Sequence, residues 1–512
     1  MLKSVTAFTN LTEAKSAATI LLEQLDQQLH IYRPQVGIIY SSFAQDNEFL
    51  AELCSELTLH YNALQLIGSS ITAGMTDDKG YQQQGIFIVL LVSDTLTFRT
   101  GIIDQLSHQQ KNKTLKVALQ EEFSKRNQTN NKNELCLIYS SYFGVDTEGL
   151  IADLQTTLGE HVGIFGGSST DFFSPELLNN PSDDHKFPIE NSYQLFAQAG
   201  QCKIFTQAMV YLHITGEVEY DFAYSFGWLD DEEKYDLQAD VKEIIEIEGQ
   251  NPISFLQGKK HPLTSSASSM LEYPLWIHEP DNKAYLRDFI VTNQQKLEVL
   301  GAPLPQSFAI SFSFPDAQKI LKEYREAIHQ LNDNYELCIS FACTSRVMTL
   351  GQQIKHEASY AALALSSTPI IGGYFFGEFF PPRKHQTSQL NSCSHIVLLI
   401  RSQKQDHTLQ NRQESFGQQR LLEKNRELKE LKEQLAFFEK TDAVKENIFL
   451  RDVLGVILNR SVKSISAYSE ELQTLFQESY DKKPRPSYPI SRNRIIEKIN
   501  PLKKDAKKKF RL

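Results

Sequence analysis

The segment Val36–Gly74, VGIIYSSFAQDNEFLAELCSELTLHYNALQLIGSSITAG, decides the architecture of the chain because it recurs. Leu135–Phe173 reads LCLIYSSYFGVDTEGLIADLQTTLGEHVGIFGGSSTDFF. Both run through IYSS, a polar turn, an amphipathic stretch and a short apolar run that closes on Gly-Ser-Ser. A looser third copy lies at Leu337–Phe379, LCISFACTSRVMTLGQQIKHEASYAALALSSTPIIGGYFFGEF. Its lead-in, Glu336-Leu337-Cys338, repeats Glu134-Leu135-Cys136. Self-similarity on this scale marks a repeated structural unit.

Each copy translates into the same local structure. The opening apolar run, rich in β-branched residues, predicts a buried strand. Leu50, Leu53, Cys54, Leu57 and Tyr61 then fall at helical spacing, as do Leu150, Leu154 and Leu158 in the second copy. The second apolar run returns the chain to the sheet, which gives a strand–helix–strand unit. Further strands are expected at Gly85–Val92, Thr95–Ile103, Phe205–His213, Tyr220–Phe226 and His395–Arg401, with a turn at Ser93-Asp94. The fold class is therefore α/β, with repeated strand–helix–strand units in mixed sheets covered by helices and a C-terminal helical, coiled-coil stalk.

Composition sets the outer bounds. A chain of 512 residues exceeds one ordinary core, and 41% apolar with 22% charged residues is the balance of a globular protein. A formal charge of −11 argues against non-specific nucleic-acid binding by the body. The apolar run Ile86–Val92 is far shorter than the roughly 20 residues a membrane helix needs. The opening MLKSVTAFTN lacks the apolar core of a secretory leader, so a cytoplasmic location is expected. Cys54, Cys136, Cys202, Cys338, Cys343 and Cys393 are scattered without paired spacing and read as reduced thiols, not as a zinc site.

The glycine-rich ends Gly68-Ser69-Ser70, Gly166-Gly167-Ser168-Ser169 and Gly372-Gly373 carry two readings. Glycine admits close approach of a ligand whose polar groups the hydroxyls would meet, or it admits close packing of another strand. No Gly-Lys-Ser/Thr follows and no Gly-x-Gly-x-x-Gly occurs, so nucleotide binding is disfavoured.

Roughly Val36–Arg401 resembles the FIST domains, paired N- and C-terminal modules of intracellular signalling proteins. LIGSSITAGMTDDKGYQQQGIFIVLLV carries the resemblance in the N-terminal module. In the C-terminal module it rests on NPISFLQ at Asn251–Gln257, YPLWI at Tyr273–Ile277, AYLRDFIV around Arg287, FACTSR at Phe341–Arg346 and IIGGYFFGEFFP at Ile370–Pro381, with Asn391 before the last strand. Ser345 stands where the family usually has glycine before the arginine of the cysteine-containing motif. The resemblance implies a sensory module for small ligands, amino acids among them, fused to varied outputs. It places the N-terminal module at 1–230 and the C-terminal module at 231–401.

The candidate ligand-binding residues are Arg287, Arg346, Glu378, Asn391, Ser69, Ser168 and Gly373. Arg346 and Glu378 are charges set among apolar residues. Together they would meet the carboxylate and ammonium of an amino acid, or they would simply bridge each other. Arg287 serves the same pocket or a solvated strand face, and Asn391 reads a ligand or satisfies a turn. Cys343 near Arg346 invites a thiol-enzyme hypothesis, with a core cysteine as its alternative. His213 and His278 are the histidines to inspect for a metal or haem, and a haem- or gas-sensing variant of the family is a further alternative. No cofactor and no catalytic constellation are expected.

After Arg401 the composition turns polar. Leu421, Leu428 and Leu435 recur every seven residues, with Leu431 and Phe438 offset, which predicts a short coiled coil within 402–440 and a homodimer through it, or a single amphipathic helix packed on the body. Residues 441–480 continue as a helical, transmitter-like pattern faintly similar to the dimerisation helix of sensor kinases, but no histidine follows His407. The tail 481–512 carries 12 Lys/Arg against 3 Asp/Glu and reads as a basic, disordered end. Output is expected to pass through the stalk to a signalling partner protein, or the stalk alone acts as an adaptor.

Overall fold

Residues 1–43, 47–124, 134–142, 144–170, 192–264, 269–280, 284–292, 296–305, 308–332 and 334–403 are described by a computed structural model of the chain. The stalk and basic tail lie outside the described residues. The three strand–helix–strand copies form as expected, each around one parallel strand pair. Val36–Ser41 pairs with Gln65–Ser70, Glu134–Ser140 with Val162–Ser168, and Leu337–Cys343 with Ile370–Phe375.

Each unit begins one strand earlier than its legible motif. Leu2–Thr9, Leu96–Ile103 and Val218–Ser225 are the opening strands, antiparallel to the closing strands Ile86–Ser93, Met209–Gly216 and His395–Ser402 of their own units. Thus Ser93 and Asp94 do turn the chain, but they carry it from the first sheet into the second. All three sheets share one order: opening strand, closing strand, first and second parallel strands, then a two-stranded hairpin.

That hairpin never belongs to its own unit. Gly74–Thr76 and Gly80–Gln82 leave the first unit and extend the third sheet. Gln194–Gln198 and Gln201–Phe205 leave the second and extend the first. Glu378–Phe380 and Gln389–Asn391 leave the third and extend the second. The exchange closes into a cycle, and backbone hydrogen bonds mark it. Thr72 N donates to Tyr374 O (3.0 Å), Thr170 N to Ser70 O (3.2 Å) and Phe376 N to Ser168 O (3.0 Å).

The inner faces of the three sheets bury one shared core. Val36, Ile38 and Tyr40 from the first sheet meet Leu135, Leu137 and Tyr139 from the second and Leu337, Ile339 and Phe341 from the third. Residue 39, facing the other way, packs with Leu50, Leu53, Cys54 and Leu57 of helix Asn47–His60. Strands buried on both faces explain why the sequence runs are continuously apolar instead of alternating. At the centre, the Tyr40 and Tyr139 hydroxyls hydrogen-bond at 2.6 Å, while the third equivalent position is Phe341.

A fourth, antiparallel sheet interrupts the third unit between its opening strand and helix Ala317–His329. It includes Tyr235–Asp240, Glu243–Ile247, Leu275–His278, Ala284–Arg287 and Ala309–Phe314. Its apolar face shares a core with the helices of the second unit through Leu275, Ile277, Phe289 and Ile310 against Leu150, Ile151 and Leu154. Asp316 caps the helix that resumes the unit by accepting from Gln318 N and Lys319 N.

The glycine-rich ends serve strand packing. A side chain on Gly68 would collide with the Ile39 carbonyl, and one on Gly166 with the Ile138 carbonyl. One on Gly373 would meet Ile71 and Phe375. Gly68→Val should therefore cost about 3 kcal/mol, the upper range of overpacking. Gly258→Ala, where nothing lies within 4 Å of the added carbon, should shift stability by no more than about 1 kcal/mol. Urea unfolding of the two variants checks this.

Candidate ligand site

The exchanged hairpin of the third unit and the inserted sheet meet at a cluster of buried acids. Glu378 opens the hairpin, opposite Gly167 on one side and Asn391 on the other. Asp288 lies between strands Ala284–Arg287 and Phe289–Val291 of the insertion. Cys343 ends a parallel strand, and its N–H donates to Ser394 O at 2.9 Å. Ser42 and Ser141 hold the equivalent places, donating to Gly85 O and Ala208 O at 3.1 Å each. Cys393, with φ at 60°, bends the Ser392–Ser394 loop over this end of the sheet. A left-handed conformation at a residue other than glycine is a backbone cost that its surroundings must hold in place.

The carboxyls of Asp288 and Glu378 are both fully buried. Glu378 Oε2 accepts from the Ser394 hydroxyl (2.6 Å) and Ser394 N (3.3 Å). Glu378 Oε1 and both Asp288 carboxylate oxygens have no hydrogen-bond partner, although the Ser392 hydroxyl lies beside Asp288 and favours its ionised form. Burial pushes both carboxyls well above the ordinary range, and the neighbouring Cys343 sulfur adds to it. Arg287 acts in the opposite direction on Asp288, and Asp288 pushes Glu378 further up. Burial also opposes a charge on Cys343, but its hydrogen bonding with Cys393 and Ser345 outweighs that and leaves its thiol more acidic than that of Cys393. Asp288, Glu378, Cys343 and Cys393 thus lie together, and both carboxyls are driven towards the neutral form.

Arg287 is buried at the margin of this cluster. Its Nη1 donates to Leu390 O (2.8 Å) and its Nη2 to Glu148 Oε1 (3.2 Å). It thereby ties the insertion both to the hairpin and to helix Thr147–Leu158 of the second unit. Asn391 hydrogen-bonds Gln389. Ser168 N donates to Gly377 O at 2.9 Å, while its hydroxyl is buried with no partner. Arg287, Glu378, Asn391 and Ser168 therefore gather along one border of the second sheet.

Arg346, Ser69 and Gly373 lie elsewhere. Sequence reasoning set Arg346 against Glu378; the structure pairs it with Glu357, at 2.7 Å from Nε and 2.6 Å from Nη2. Glu357 Oε2 also accepts from Tyr374 OH (3.0 Å) and approaches His395 Nδ1 (3.1 Å), whose Nε2 meets Ser340 Oγ at 2.6 Å. Ser69 sits near the centre of the cycle, 2.8 Å from Ser169 Oγ. Gly373 pairs with Gly74 of the exchanged hairpin. Glu357 and Asp288 were missed in the sequence, yet each left a trace. Glu357 shares a helix face with Ala361, four residues on, and Asp288 interrupts the apolar run around Arg287.

The histidines singled out earlier are both engaged. His213 Nε2 is 2.9 Å from Glu134 Oε2, and His278 Nε2 is 2.7 Å from Ser311 Oγ. Among the described residues no three His, Cys, Asp or Glu side chains converge as a metal site would require. No helix among them is long and apolar enough to cross a membrane.

With this geometry in view, the comparisons with known proteins define a class. The FIST N domain matches residues 35–250 and the FIST C domain residues 256–381, together more than half of the chain. The chain belongs to the FIST domain family of sensory, ligand-binding signalling modules. Curated protein sequences give no match. Two solved structures align weakly. A cyanuric acid hydrolase from A. caulinodans is 8% identical over 79% of this chain and 100% of its own, at a TM-score of 0.30. A second cyanuric acid hydrolase is 10% identical over 78% of this chain and 99% of its own, at 0.29. Overlaps of that quality carry nothing about chemistry.

The Arg346–Glu357 network yields a stability prediction. Burial pushes the Glu357 carboxyl up, but the Arg346 charge and His395 outweigh it and hold the pKa down to about 2. A depressed carboxyl stabilises the fold above its unfolded value and loses that contribution as pH falls towards 2. Glu357→Gln should cost roughly 3–5 kcal/mol at neutral pH, because it strands a buried guanidinium. The deficit should shrink below about pH 4, where the unfolded carboxyl begins to protonate. Denaturant titrations at several pH values check both the size and the sign.

Proposed function

We propose that this protein is a cytoplasmic sensor whose FIST modules bind a small ligand bearing an ammonium group, amino acids included, at the Asp288–Glu378 cluster. One observation supports the reading above the others. Three carboxylate oxygens, two on Asp288 and one on Glu378, are buried without hydrogen-bond partners. Buried polar atoms are nearly always satisfied, and the carboxylate oxygens that lack a partner among the described residues all belong to this one cluster. An ammonium brings the N–H donors and the positive charge that such oxygens lack. Arg287, adjacent to Asp288, is the cation on hand for an amino acid's carboxylate.

A binding role is favoured over thiol catalysis by the surroundings of Cys343. Its neighbours are Cys393, Ser345, Asp288 and Glu378, acids and hydroxyls rather than an imidazole base. The output is proposed to leave through the C-terminal helical segment, as a homodimer, to a partner protein. Ligand binding would act by favouring one arrangement of hairpin and insertion over another.

Thermal-shift and calorimetric titration with the amino acids and simple amines tests the site. At a ligand concentration of 100 times Kd the fold should gain about 2.7 kcal/mol. Binding draws both carboxyls into their ionised form, so protons are released and affinity should rise with pH. Asp288→Asn and Glu378→Gln should lose the binding and the pH slope together. Unchanged binding in both variants, or no response to any compound in the set, would sink the reading.

A further inference from the structure

The exchanged hairpin of the second unit brings two cysteines together across a unit boundary. Its strands Gln194–Gln198 and Gln201–Phe205 are joined by a tight turn in which Ala199 (φ 49°) and Gly200 (φ 76°) both take left-handed backbone. Such a turn matches the twist of a hairpin and fixes the register of the residues that follow it. Cys202 stands opposite Ala197, which in turn stands opposite Leu66 of the first unit. Cross-strand partners share one face of a sheet. That face lies under helix Asn47–His60, where Leu66, Ala197 and Cys202 pack in one cluster with Leu53, Cys54 and Leu57.

The helix grips the hairpin beside this cluster. Ser55 Oγ donates to Gly200 O, and Gly200 N donates to Thr58 Oγ1 at 3.0 Å. Leu59 lies against Gly200 so closely that a side chain there would strike it. Cys54 adjoins the grip on the helix, and Cys202 is two residues from it on the hairpin. Their thiols hydrogen-bond each other. That contact outweighs burial at Cys202 and makes its thiol more acidic than usual, whereas at Cys54 the contact and burial together push the thiol up.

Exposure separates this pair from the other thiols. Cys54, Cys136, Cys338, Cys343 and Cys393 are buried, whereas Cys202 is partly exposed. Cys343 and Cys393 also hydrogen-bond each other, but neither offers its sulfur to solvent. A partly exposed, acidic thiol beside a second thiol is the arrangement that an oxidant attacks and a resolving cysteine then closes.

We propose that Cys54 and Cys202 form a redox-modification site, at which a peroxide converts the two thiols to a disulfide that ties the exchanged hairpin to the helix of the first unit. With hydrogen peroxide, the Cys202 sulfur attacks one peroxide oxygen, the O–O bond breaks, and the departing oxygen leaves as water with the thiol's proton. The Cys54 sulfur then attacks the resulting sulfenic sulfur, which forms the S–S bond and releases the sulfenic oxygen as a second water carrying the Cys54 proton. Two thiols are oxidised by two electrons and the peroxide is reduced to water. In a reducing compartment a bond of this kind is transient and sensory. The hairpin is one link of the three-part cycle, so the disulfide fastens one junction between units. The site is separate from the Asp288–Glu378 cluster, and either reading stands or falls without the other.

The test is to add hydrogen peroxide to the reduced full chain, alkylate the remaining thiols, and map the digest by mass spectrometry. The expected product is lighter by two hydrogens and carries a Cys54–Cys202 cross-link that dithiothreitol reverses. It should melt at a higher temperature than the reduced chain, because the bond closes a long loop. Cys202→Ser, at a partly exposed position, should keep the melting temperature of the reduced chain and lose the cross-link. Cys54→Ala should leave Cys202 as a sulfenic acid that dimedone captures, with more adduct than the unaltered chain gives. A folded chain that keeps both thiols free under excess peroxide would overturn the proposal. So would a cross-link that forms only in urea, one between Cys343 and Cys393 in place of this pair, or one from Cys202 to a second copy of the chain.

Discussion

The cyclic exchange of hairpins constrains everything else in the body. A hairpin that stayed at home would leave each unit a self-contained sheet with its own free edge. Because each hairpin instead extends a neighbour's sheet, the second parallel strand of every unit is covered by chain from another unit. The three backbone hydrogen bonds at Thr72, Thr170 and Phe376 stand where the chain crosses from one sheet to the next. Each contributes only about 0.5–1.5 kcal/mol net, but none forms unless two units are already packed. Folding of the units is therefore coupled by geometry, and the shared inner core follows from it.

The same exchange explains why charges are buried at all. Carrying Glu378 across to the second sheet sets it beside Gly167, in a place that the first and third sheets fill with Gln194 and Gly74. Gln194 is hydrogen-bonded through both side-chain atoms there, donating to Ser169 and accepting from Ser141 and Ala208 N. Gly74 asks for nothing. Glu378 alone brings an acid into that position, and the insertion then adds Asp288 against it. The contrast with Glu357 separates two kinds of buried carboxyl. Glu357 is matched by Arg346, His395 and Tyr374 and is held ionised, which suits a structural anchor. Asp288 and Glu378 lack that compensation and are driven towards the neutral form, which suits a place awaiting a partner.

Much of the framework was legible because repetition amplifies a weak signal. The IYSS runs, the leucine stripes and the glycine-rich ends predicted the parallel pairs and the helices between them. Of the opening strands, those at Thr95–Ile103 and Tyr220–Phe226 were legible and the first was not. Leu2–Thr9 carries Lys3 and three hydroxyl residues, and its identity comes from pairing with Ile86–Ser93 across most of a unit. The exchange of hairpins was invisible, since a local pattern states that a hairpin exists and not which sheet receives it. For the same reason Arg346 was set against Glu378. Both stand at sheet ends in one unit, but the hairpin takes Glu378 away to a neighbour, and helix Lys355–Ala364 presents Glu357 in its place. Arg287 looked equally suited to a solvated face, because one strand of a sequence cannot reveal that the opposite wall is helix Thr147–Leu158.

Asymmetry within the repeat is what turns a framework into a sensor. Three equal units would close on one another and bury an apolar centre with no reason to change state. The third unit breaks that equality twice, through the insertion before its first helix and through the acid at the start of its exchanged hairpin. Both departures converge on one border, where Arg287 joins insertion, hairpin and second unit by hydrogen bonds to Leu390 and Glu148. A ligand that satisfies Asp288 and Glu378 would therefore act on a junction at which Arg287 joins insertion, hairpin and second unit. Differential affinity for one arrangement of that junction is all a ligand needs to bias it. Because the hairpin cycle couples the units, a bias at one border is a bias on the packing of all three.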